Sequence, residues 1–233
     1  MQNVDLSIPV GERVALVGAN GSGKSTLLRH LIGLLKPTTG CVSVMGLRVD
    51  ERDINEVRRR VGYVFQDADD QLFCPTVLED VAFGPLHLGL ATDEVVRRVR
   101  DSLALVGLNG YERRVPQKLS AGEKTLVALA TVLSYSAEVL LLDEPSASLD
   151  PRNRRRVMGV LGKLPGTQLI ATHDLDLAWE LCERTVLLAH GRIIADGRTK
   201  EVLSNRALLE EHGLELPLIL QGVRERDEAN ARG

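Results

Sequence analysis

The chain has 233 residues, of which 44% are hydrophobic, and it carries a formal net charge of −3 at pH 7. That length can bury a substantial core in one domain, or in one domain with an insert. Aromatic residues make up only 3%, and this scarcity, together with the negative charge, argues against base stacking and a large phosphate-backbone footprint, so we expect no nucleic-acid partner.

Strand and helix patterns alternate along the chain. Strands are predicted at 13–17, 41–45, 61–65, 139–142, 168–171 and 184–188, the last turning at His190-Gly191 into a hairpin-like strand over 192–195. Helices are predicted at 24–35 (ended by Pro37), at 92–106, from Ser120, after Pro151 and after the cap Asp174. Arginine clusters at 58–60, 97–98 and 154–156 are interpreted as solvated helix faces. The alternation predicts an α/β fold with a mostly parallel sheet covered on both faces.

The sequence also indicates where the protein works. No apolar run approaches the roughly 18–20 residues that a membrane-spanning helix needs, and the first ten residues do not resemble a signal peptide. Three isolated cysteines are typical of reduced thiols, and the five histidines show no metal-ligand spacing. We therefore predict a cytoplasmic protein that can dock peripherally on a membrane protein.

A glycine-rich segment lies between the first predicted strand and the first predicted helix. It reads Gly18, Ala19, Asn20, Gly21, Ser22, Gly23, Lys24, Ser25 and Thr26, a full Walker A sequence in the context that supports it. The glycines let successive backbone N–H groups face phosphate oxygens, Lys24 supplies charge to the β- and γ-phosphates, and Ser25 supplies a hydroxyl to Mg²⁺. The whole segment is predicted to bind a nucleotide.

Two acids follow a buried strand later in the chain. Residues 139–143 match Walker B, in which an apolar strand delivers Asp143 toward Mg²⁺. Glu144 is placed to orient or deprotonate the attacking water, a role that contributes about 10²–10⁴ in rate. Beside an intact Walker A we interpret these acids as catalytic, and not as the chance end of a buried strand.

A second phosphate-seeking element occurs at Leu119-Ser120-Ala121-Gly122-Glu123, where another apolar helix opens. Serine and glycine at a helix start present a hydroxyl and unpaired N–H groups, which suits an anion. Because Walker A already provides one phosphate site, this element points to a nucleotide held by another copy of the chain.

Six motifs stand in one order, namely Walker A, Gln66, the segment 119–123, Asp143-Glu144, Ser148-Leu149-Asp150 and His173. Taken alone, Gln66 and His173 would be ordinary polar residues after strands. Together the series, over roughly residues 4–198, resembles that of ATP-binding-cassette (ABC) ATPases. The resemblance implies a P-loop NTPase core with an antiparallel β portion and an inserted helical subdomain. The expected division is a nucleotide-binding core at 1–66 and 139–198, a helical subdomain at 67–138, a C-terminal helical extension at 199–221 and a disordered tail at 222–233.

The resemblance also implies roles for single residues, with ATP as the nucleotide and Mg²⁺ as the metal. The implied catalytic residues are Lys24, Gln66, Glu144 and His173, and the implied Mg²⁺ ligands are Ser25, Gln66 and Asp143. Ser120 and Gly122 would grip the γ-phosphate bound to the opposing subunit, and Asp150 would bridge the two subunits. ATP would hold a head-to-tail pair together and hydrolysis would release it.

One region resembles the ATPase subunits of energy-coupling-factor importers, especially those for cobalt and nickel. It comprises residues 65–73, 75–77, 79–85 and 88–90. In that family the region receives a coupling helix of a membrane subunit. The implied partners are a second ATPase subunit (a homodimer), a transmembrane coupling subunit and a substrate-binding membrane subunit. The alternative is that its apolar residues are simply core; they are Leu72, Phe73, Val77, Val81 and Phe83.

Two departures from the family pattern give further expectations. Ala121 and Glu123 stand where the family usually has glycine and glutamine, so we expect an active but slower ATPase. No aromatic residue precedes Gly18 to stack on adenine, so we expect weaker adenine binding and an unpaired sheet edge.

Two other classes of protein were weighed against the importer subunit. A soluble ABC ATPase acting on ribosomes or DNA is disfavoured because no basic extension or long coiled-coil insert is present. A non-hydrolysing regulatory cassette is disfavoured because Lys24, Asp143, Glu144 and His173 are intact.

Overall fold

A six-stranded sheet forms the centre of the protein in a computed structural model that describes residues 1–50, 52–147 and 149–221. In chain order the strands are β1 (Arg13–Val17), β2 (Ser43–Val44), β3 (Leu47–Arg48), β4 (Val61–Val64), β5 (Val139–Asp143), β6 (Thr167–Thr172), β7 (Arg184–Ala189) and β8 (Arg192–Arg198). The sheet order is β4-β5-β6-β1-β7-β8, with parallel pairs from β4 to β7 and an antiparallel β7–β8 pair. Strands β2 and β3 form a separate antiparallel ribbon. The predicted α/β fold with a mostly parallel sheet and an antiparallel portion is confirmed.

Helices connect most of the strands. They are α1 (Lys24–Leu31), α2 (Ile54–Arg60), α3 (Val77–His87), α4 (Thr92–Leu105), α5 (Ala121–Ser134), α6 (Pro151–Leu161), α7 (Leu175–Leu181), α8 (Thr199–Ser204) and α9 (Arg206–Glu211). Helices α3 and α5 begin with reciprocal capping boxes on Thr76 and Ser120, and Asp150 and Asp174 cap α6 and α7. Each cap satisfies backbone N–H groups that a helix start leaves unpaired.

Three local predictions are wrong. Helix α1 ends at Leu31 and not at 35, because Gly33 takes a left-handed φ of 65° and the chain turns there. The strand predicted at 41–45 shrinks to β2, because Met45 and Gly46 both have positive φ and make the turn into β3. Arg154 does not simply face solvent, since its side chain is only 25% exposed and its guanidinium pairs with Asp174 at 2.6 Å.

Both faces of the main sheet are buried, as expected for parallel strands covered by helices. Successive β1 residues alternate between two apolar clusters: Val14 and Leu16 lie with α1 and α2, whereas Ala15 and Val17 lie with the other helices. Val4, Leu6 and Ile8 pack against the α1 side without forming a strand. The expected weakness of the sheet edge and of adenine binding stays a prediction.

The segment 67–138 lies between β4 and β5 and contains α3, α4 and α5. One apolar cluster joins these helices to the sheet, because it holds Val81, Leu103 and Leu126 as well as Leu142. We propose the division into a core at 1–66 and 139–198, a helical subdomain at 67–138 and an extension at 199–221, with the subdomain sharing the core of the sheet. The tail predicted at 222–233 and Ser148 lie outside the described residues. Within the described ranges, no helix is both long and apolar enough to cross a membrane.

Candidate nucleotide site

The carboxyl ends of four parallel strands deliver the predicted site residues to one edge of the sheet. Walker A follows β1, Gln66 lies two residues after β4, Glu144 follows β5 and His173 follows β6. In open α/β sheets, ligands bind outside these carboxyl ends. The order of the strands therefore gathers residues that are as much as 155 positions apart in the sequence.

The glycines of Walker A are required by the shape of the loop. Gly21 and Gly23 have φ angles of 77° and 110°, which residues with side chains rarely adopt. A Cβ on Gly18 would collide with the carbonyl oxygen of Leu188. Gly23 then serves as the N-cap of α1, whose first backbone N–H groups are free to face an anion.

Lys24 and Glu144 form a buried ion pair at the start of α1. The ammonium donates to the Gly18 carbonyl at 2.8 Å and lies 3.2 Å from Glu144 Oε1. Both side chains are less than a tenth exposed. Removing either partner would leave the other charge buried and uncompensated, which is costly.

Glu144 also contacts His173. Its Oε2 accepts the His173 backbone N–H at 3.1 Å and lies 2.8 Å from the ring Nδ1. Glu144 has a φ of 49°, a strained conformation for a residue with a side chain, and its own N–H is held by the Ala171 carbonyl at 2.8 Å. The carboxylate is thus fixed between the Walker A lysine and a histidine that is 54% exposed.

Asp143 is oriented through both of its oxygens. Ser25 Oγ donates to Oδ1 at 2.9 Å and the Tyr63 hydroxyl donates to Oδ2 at 2.9 Å. Burial, and then the adjacent Asp143 carboxylate, raise the pKa of the Tyr63 phenol above its ordinary value, so the phenol keeps its proton and donates. The hydroxyl of Ser25 and the carboxylate of Asp143, with the amide of Gln66 nearby, form an oxygen-donor set that fits Mg²⁺.

A cleft of about 390 Å³ connects this metal set to the start of α5. Gln66 and Asp143 line it from the sheet, and Ala121 and Thr125 line it from the helix; the remaining lining residues are Arg29, Phe65, Asp67, Ala68, Asp69, Asp70, Lys124, Ala147 and Leu149. Gln66 therefore shares a cavity with Asp143.

The segment 119–123 starts α5 in a helical conformation. Ser120 and Glu123 form the capping box, and Tyr111 donates its hydroxyl to Glu123 at 2.6 Å. Ala121 occupies the first turn of the helix and is not among the residues with positive φ, so its methyl group causes no backbone strain. A Cβ on Gly122 would collide with the side chain of Asn153, so this glycine is needed for packing against α6.

The chain brings some predicted site residues together and leaves others apart. Two bonded groups result, Ser25 with Asp143 and Lys24 with Glu144 and His173, and they adjoin along the chain at 24–25 and 143–144. In the described ranges, no hydrogen bond or ion pair connects these groups with three other members of the predicted set, namely Ser120, Gly122 and Asp150. Asp150 is instead occupied as the cap of α6, and the N–H and side chain of Asn153 lower its pKa.

Several residues near the site were missed by the sequence reasoning. Tyr63 holds Asp143, and Gln71 accepts from Phe65 N–H while donating to the Ala128 carbonyl and to Thr131 of α5. The sequence offered only the general tendency of a buried tyrosine hydroxyl to have a hydrogen-bond partner. That tendency does not identify which residue the partner is.

Replacing Glu123 tests the capping box. Glu123→Ala should lower the free energy of unfolding by about 0.3–1.5 kcal/mol, whereas Glu123→Gln should keep most of it, because glutamine also completes a capping box. Hydrogen bonds from Tyr111 and Ser120 lower the pKa of Glu123. For a carboxyl with a depressed pKa, the stabilisation is present above its unfolded-state pKa and is lost as the pH falls through its folded-state pKa.

The measurement is chemical denaturation of the wild type and both variants between pH 7 and acid. The difference in the free energy of unfolding between the wild type and Glu123→Ala should become smaller as the pH falls below the ordinary range of glutamate pKa values. A difference that stays constant with pH would show that the carboxylate is not the group that stabilises the start of α5.

The fold and the site together define a P-loop nucleotide-binding protein. A sequence model of the ABC transporter family matches residues 1–147. A relative from Methanothermobacter thermautotrophicus, the energy-coupling factor transporter ATP-binding protein EcfA, is 44% identical over 93% of this chain and 71% of its own length. The chain belongs to the ABC transporter family, and it is an ABC ATPase that serves as the ATP-binding subunit of a transporter.

Solved structures agree with this assignment. The structure of cbiO1 from Clostridium perfringens, part of the ABC transporter complex cbiONQ, superposes with a TM-score of 0.79 at 36% identity, covering 89% of this chain and 85% of that one. The dimeric post-hydrolysis structure of the ATP-binding cassette MJ0796, bound to ADP and Pi, has a TM-score of 0.76 at 30% identity, covering 84% and 89%. The predicted membership of the ABC ATPases is thereby confirmed.

Proposed function

We propose that the chain is the ATP-hydrolysing motor subunit of an energy-coupling-factor importer for cobalt or nickel ions, working on the cytoplasmic face of the cell membrane. The observation that carries the ATPase role is the convergence of Lys24 and His173 on the buried carboxylate of Glu144. In the proposed ATPase, Lys24 is the phosphate-binding cation, Glu144 is the general base and His173 contacts the γ-phosphate.

In the proposed reaction, the oxygen of a water molecule attacks the γ-phosphorus of ATP, the bond to the β-phosphate oxygen breaks, and ADP leaves. Glu144 orients that water and takes its proton, while Lys24 and His173 contact the γ-phosphate. Mg²⁺, held by Ser25, Gln66 and Asp143, would neutralise charge on the phosphate oxygens when bound. Backbone N–H groups of the Walker A loop would bind the phosphates.

We propose that a second, identical copy completes the site. Ser120 and Gly122 flank Ala121, which lines the cleft together with Gln66 and Asp143, and they have no bond to Lys24 or Glu144 within the described chain. In a head-to-tail pair they reach the γ-phosphate bound to the opposing copy, and Asp150 lies between the two copies. The solved dimer of the related cassette MJ0796 supports such a pairing.

An exposed aromatic patch supports the proposed membrane partner. The rings of Phe73 and Phe83 meet edge to face with their centroids 5.1 Å apart, and the Phe83 and His87 ring centroids are 4.2 Å apart. Phe73, Phe83 and Leu86 are 63%, 42% and 56% exposed. Adjacent exposed apolar side chains of this kind mark protein interaction sites.

The alternative interpretation, in which the five apolar residues of this region are simply core, holds for three of them. Leu72, Val77 and Val81 are buried in the core of the protein, as that interpretation expects. Phe73 and Phe83 are not, so core packing does not explain them. We propose that these two rings receive the coupling helix of a transmembrane subunit, and the relation to cbiO1, part of the complex cbiONQ, supports this choice.

Replacing one ring tests the proposed partner. Phe83→Asp should abolish co-purification with the proposed transmembrane subunit, because a charge would have to be buried in an apolar contact. The ATPase rate of the isolated chain should stay at the wild-type level. Val10→Asp is the matched control, because Val10 is 86% exposed and lies beside the β2–β3 ribbon, away from the patch.

Co-purification that survives Phe83→Asp and Phe73→Asp alike would exclude this patch as the docking surface. Uptake of radioactive cobalt and nickel by cells that express the complex then distinguishes the two ions. Uptake of neither ion would contradict the proposed cargo while leaving the ATPase assignment unaffected.

A further inference from the structure

Tyr63 occupies an unusual place in the sheet. It lies on β4, its ring belongs to the apolar cluster on the α1 side and is only 7% exposed, and it meets Phe65 edge to face at 4.7 Å. Strand β4 runs parallel to β5, with Tyr63 paired to Leu141. From that position its hydroxyl reaches past the paired residue to the carboxylate of Asp143 at the end of β5.

The carboxylate of Asp143 has two donors in the described part of the chain, one for each oxygen. Ser25 donates to Oδ1 and Tyr63 donates to Oδ2, both at 2.9 Å. Asp143 is 2% exposed, so water has little access to replace a missing donor. A buried carboxylate oxygen that loses its donor bears the full cost of desolvation, and it will turn toward another partner.

We infer that Tyr63 is a positioning residue of the metal site, which fixes the rotation of the Asp143 carboxylate so that Oδ1 stays beside the Ser25 hydroxyl. This inference rests on the proposed function, in which Ser25 and Asp143 hold Mg²⁺. Groups that orient metal ligands from outside typically contribute 10- to 100-fold in metal affinity. Tyr63 does not touch the nucleotide in this scheme and acts through Asp143; its hydroxyl also has a hydrogen bond with Arg29.

The test measures metal binding directly. The full chain and its Tyr63→Phe variant are saturated with a non-hydrolysable ATP analogue, and Mn²⁺ is titrated by electron paramagnetic resonance as a spectroscopic substitute for Mg²⁺. We expect Mn²⁺ to bind about 10- to 100-fold more weakly to Tyr63→Phe. Affinity for the same analogue in excess EDTA should match that of the wild type, because the phosphate loop is intact.

Tyr135→Phe is the matched control. The Tyr135 hydroxyl donates to the carbonyl of Val61, at the other end of the same strand, at 3.1 Å. The variant removes an equivalent phenol hydroxyl that donates to β4, without touching Asp143, so its Mn²⁺ affinity should equal that of the wild type. An equal loss of Mn²⁺ affinity in both variants would overturn the inference, because strand stability would then explain the effect.

A double-mutant cycle separates this inference from the proposed function. Asp143→Asn should weaken Mn²⁺ binding, and adding Tyr63→Phe in that background should weaken it little further. If Asp143→Asn leaves Mn²⁺ affinity unchanged, the proposed metal site is wrong. If Asp143→Asn weakens binding but Tyr63→Phe does not, only the positioning role is wrong.

Folding is checked by thermal melting of each variant. Should Tyr63→Phe prove too unstable to purify, Tyr63→Met fills the same apolar space without a hydroxyl and should show the same loss of Mn²⁺ affinity. Wild-type affinity in Tyr63→Met would overturn the inference equally well.

Discussion

Glu144→Gln should lower the ATPase rate by about 10²- to 10⁴-fold, the usual contribution of a positioned general base. The change keeps the size of the side chain, and the amide oxygen can still accept the His173 N–H that now bonds to Oε2 at 3.1 Å. It removes the negative charge that faces Lys24 at 3.2 Å. ATP should therefore bind at least as well as in the wild type, since the phosphates of ATP supply the negative charge that Glu144 no longer places beside Lys24.

The same variant should accumulate a dimer. If ATP joins two copies and hydrolysis releases them, a chain that binds ATP without cleaving it remains in the joined state. Size-exclusion chromatography with ATP and Mg²⁺ should show a dimer for Glu144→Gln and a return to monomer when ADP replaces ATP. Glu138→Gln is the control, because Glu138 is half exposed, pairs with Arg60 at 3.4 Å and lies at the opposite end of β5.

Two outcomes would contradict the proposal. A rate within tenfold of the wild type would mean that Glu144 is not the base. A monomer at all ATP concentrations, with ATP binding proven separately, would mean that the nucleotide does not join two copies.

The sequence predicted the strands better than the helix ends. Strand β1 was predicted with its bounds unchanged, because a buried parallel strand reads as an apolar run between turn residues. The helix start at Ser120 and the cap Asp174 were equally predictable, since a cap depends on neighbours within three residues. The end of α1 was missed because Gly33, and not Pro37, stops the helix.

The residues of the proposed nucleotide site were predictable only in part. Walker A and Walker B are local patterns, so Lys24 and Asp143 could be placed from the sequence. The bond from Tyr63 to Asp143 joins residues 80 positions apart, and it depends on strand order and register, which no local pattern specifies. The pairing of Arg154 with Asp174 was missed for the same reason, because both residues look like ordinary polar positions on helix starts.

Two inactive variants of the chain should restore activity when they are mixed. Lys24→Ala removes the cation that serves the phosphates, and losing one such preorganised donor costs about 10²–10³ in rate. Gly122→Ala places a methyl group on the side chain of Asn153 and displaces the start of α5. A shift of about 1 Å at a reacting centre can cost about 10²-fold. Each variant alone should therefore be nearly inactive.

The ATPase rate of the mixture distinguishes an ATP site shared by two chains from an ATP site formed within one chain. In a mixed dimer, the Gly122→Ala copy offers an intact Walker A and the Lys24→Ala copy offers an intact segment 119–123, so one of the two sites is complete. Half of the dimers in an equal mixture are mixed, and if the two sites act independently, the rate should recover to about a quarter of the wild-type value. Recovery should require ATP and should scale with protein concentration.

A double variant provides the decisive control. Lys24→Ala mixed with Lys24→Ala/Gly122→Ala cannot form a complete site in any combination and should stay inactive. If the first mixture is no more active than this control, although cross-linking shows that mixed dimers form, Ser120 and Gly122 do not act on the nucleotide of the opposing copy. Recovery would place half of each ATP site on a second chain, because within the described residues of one chain no bond connects Ser120 or Gly122 to Lys24.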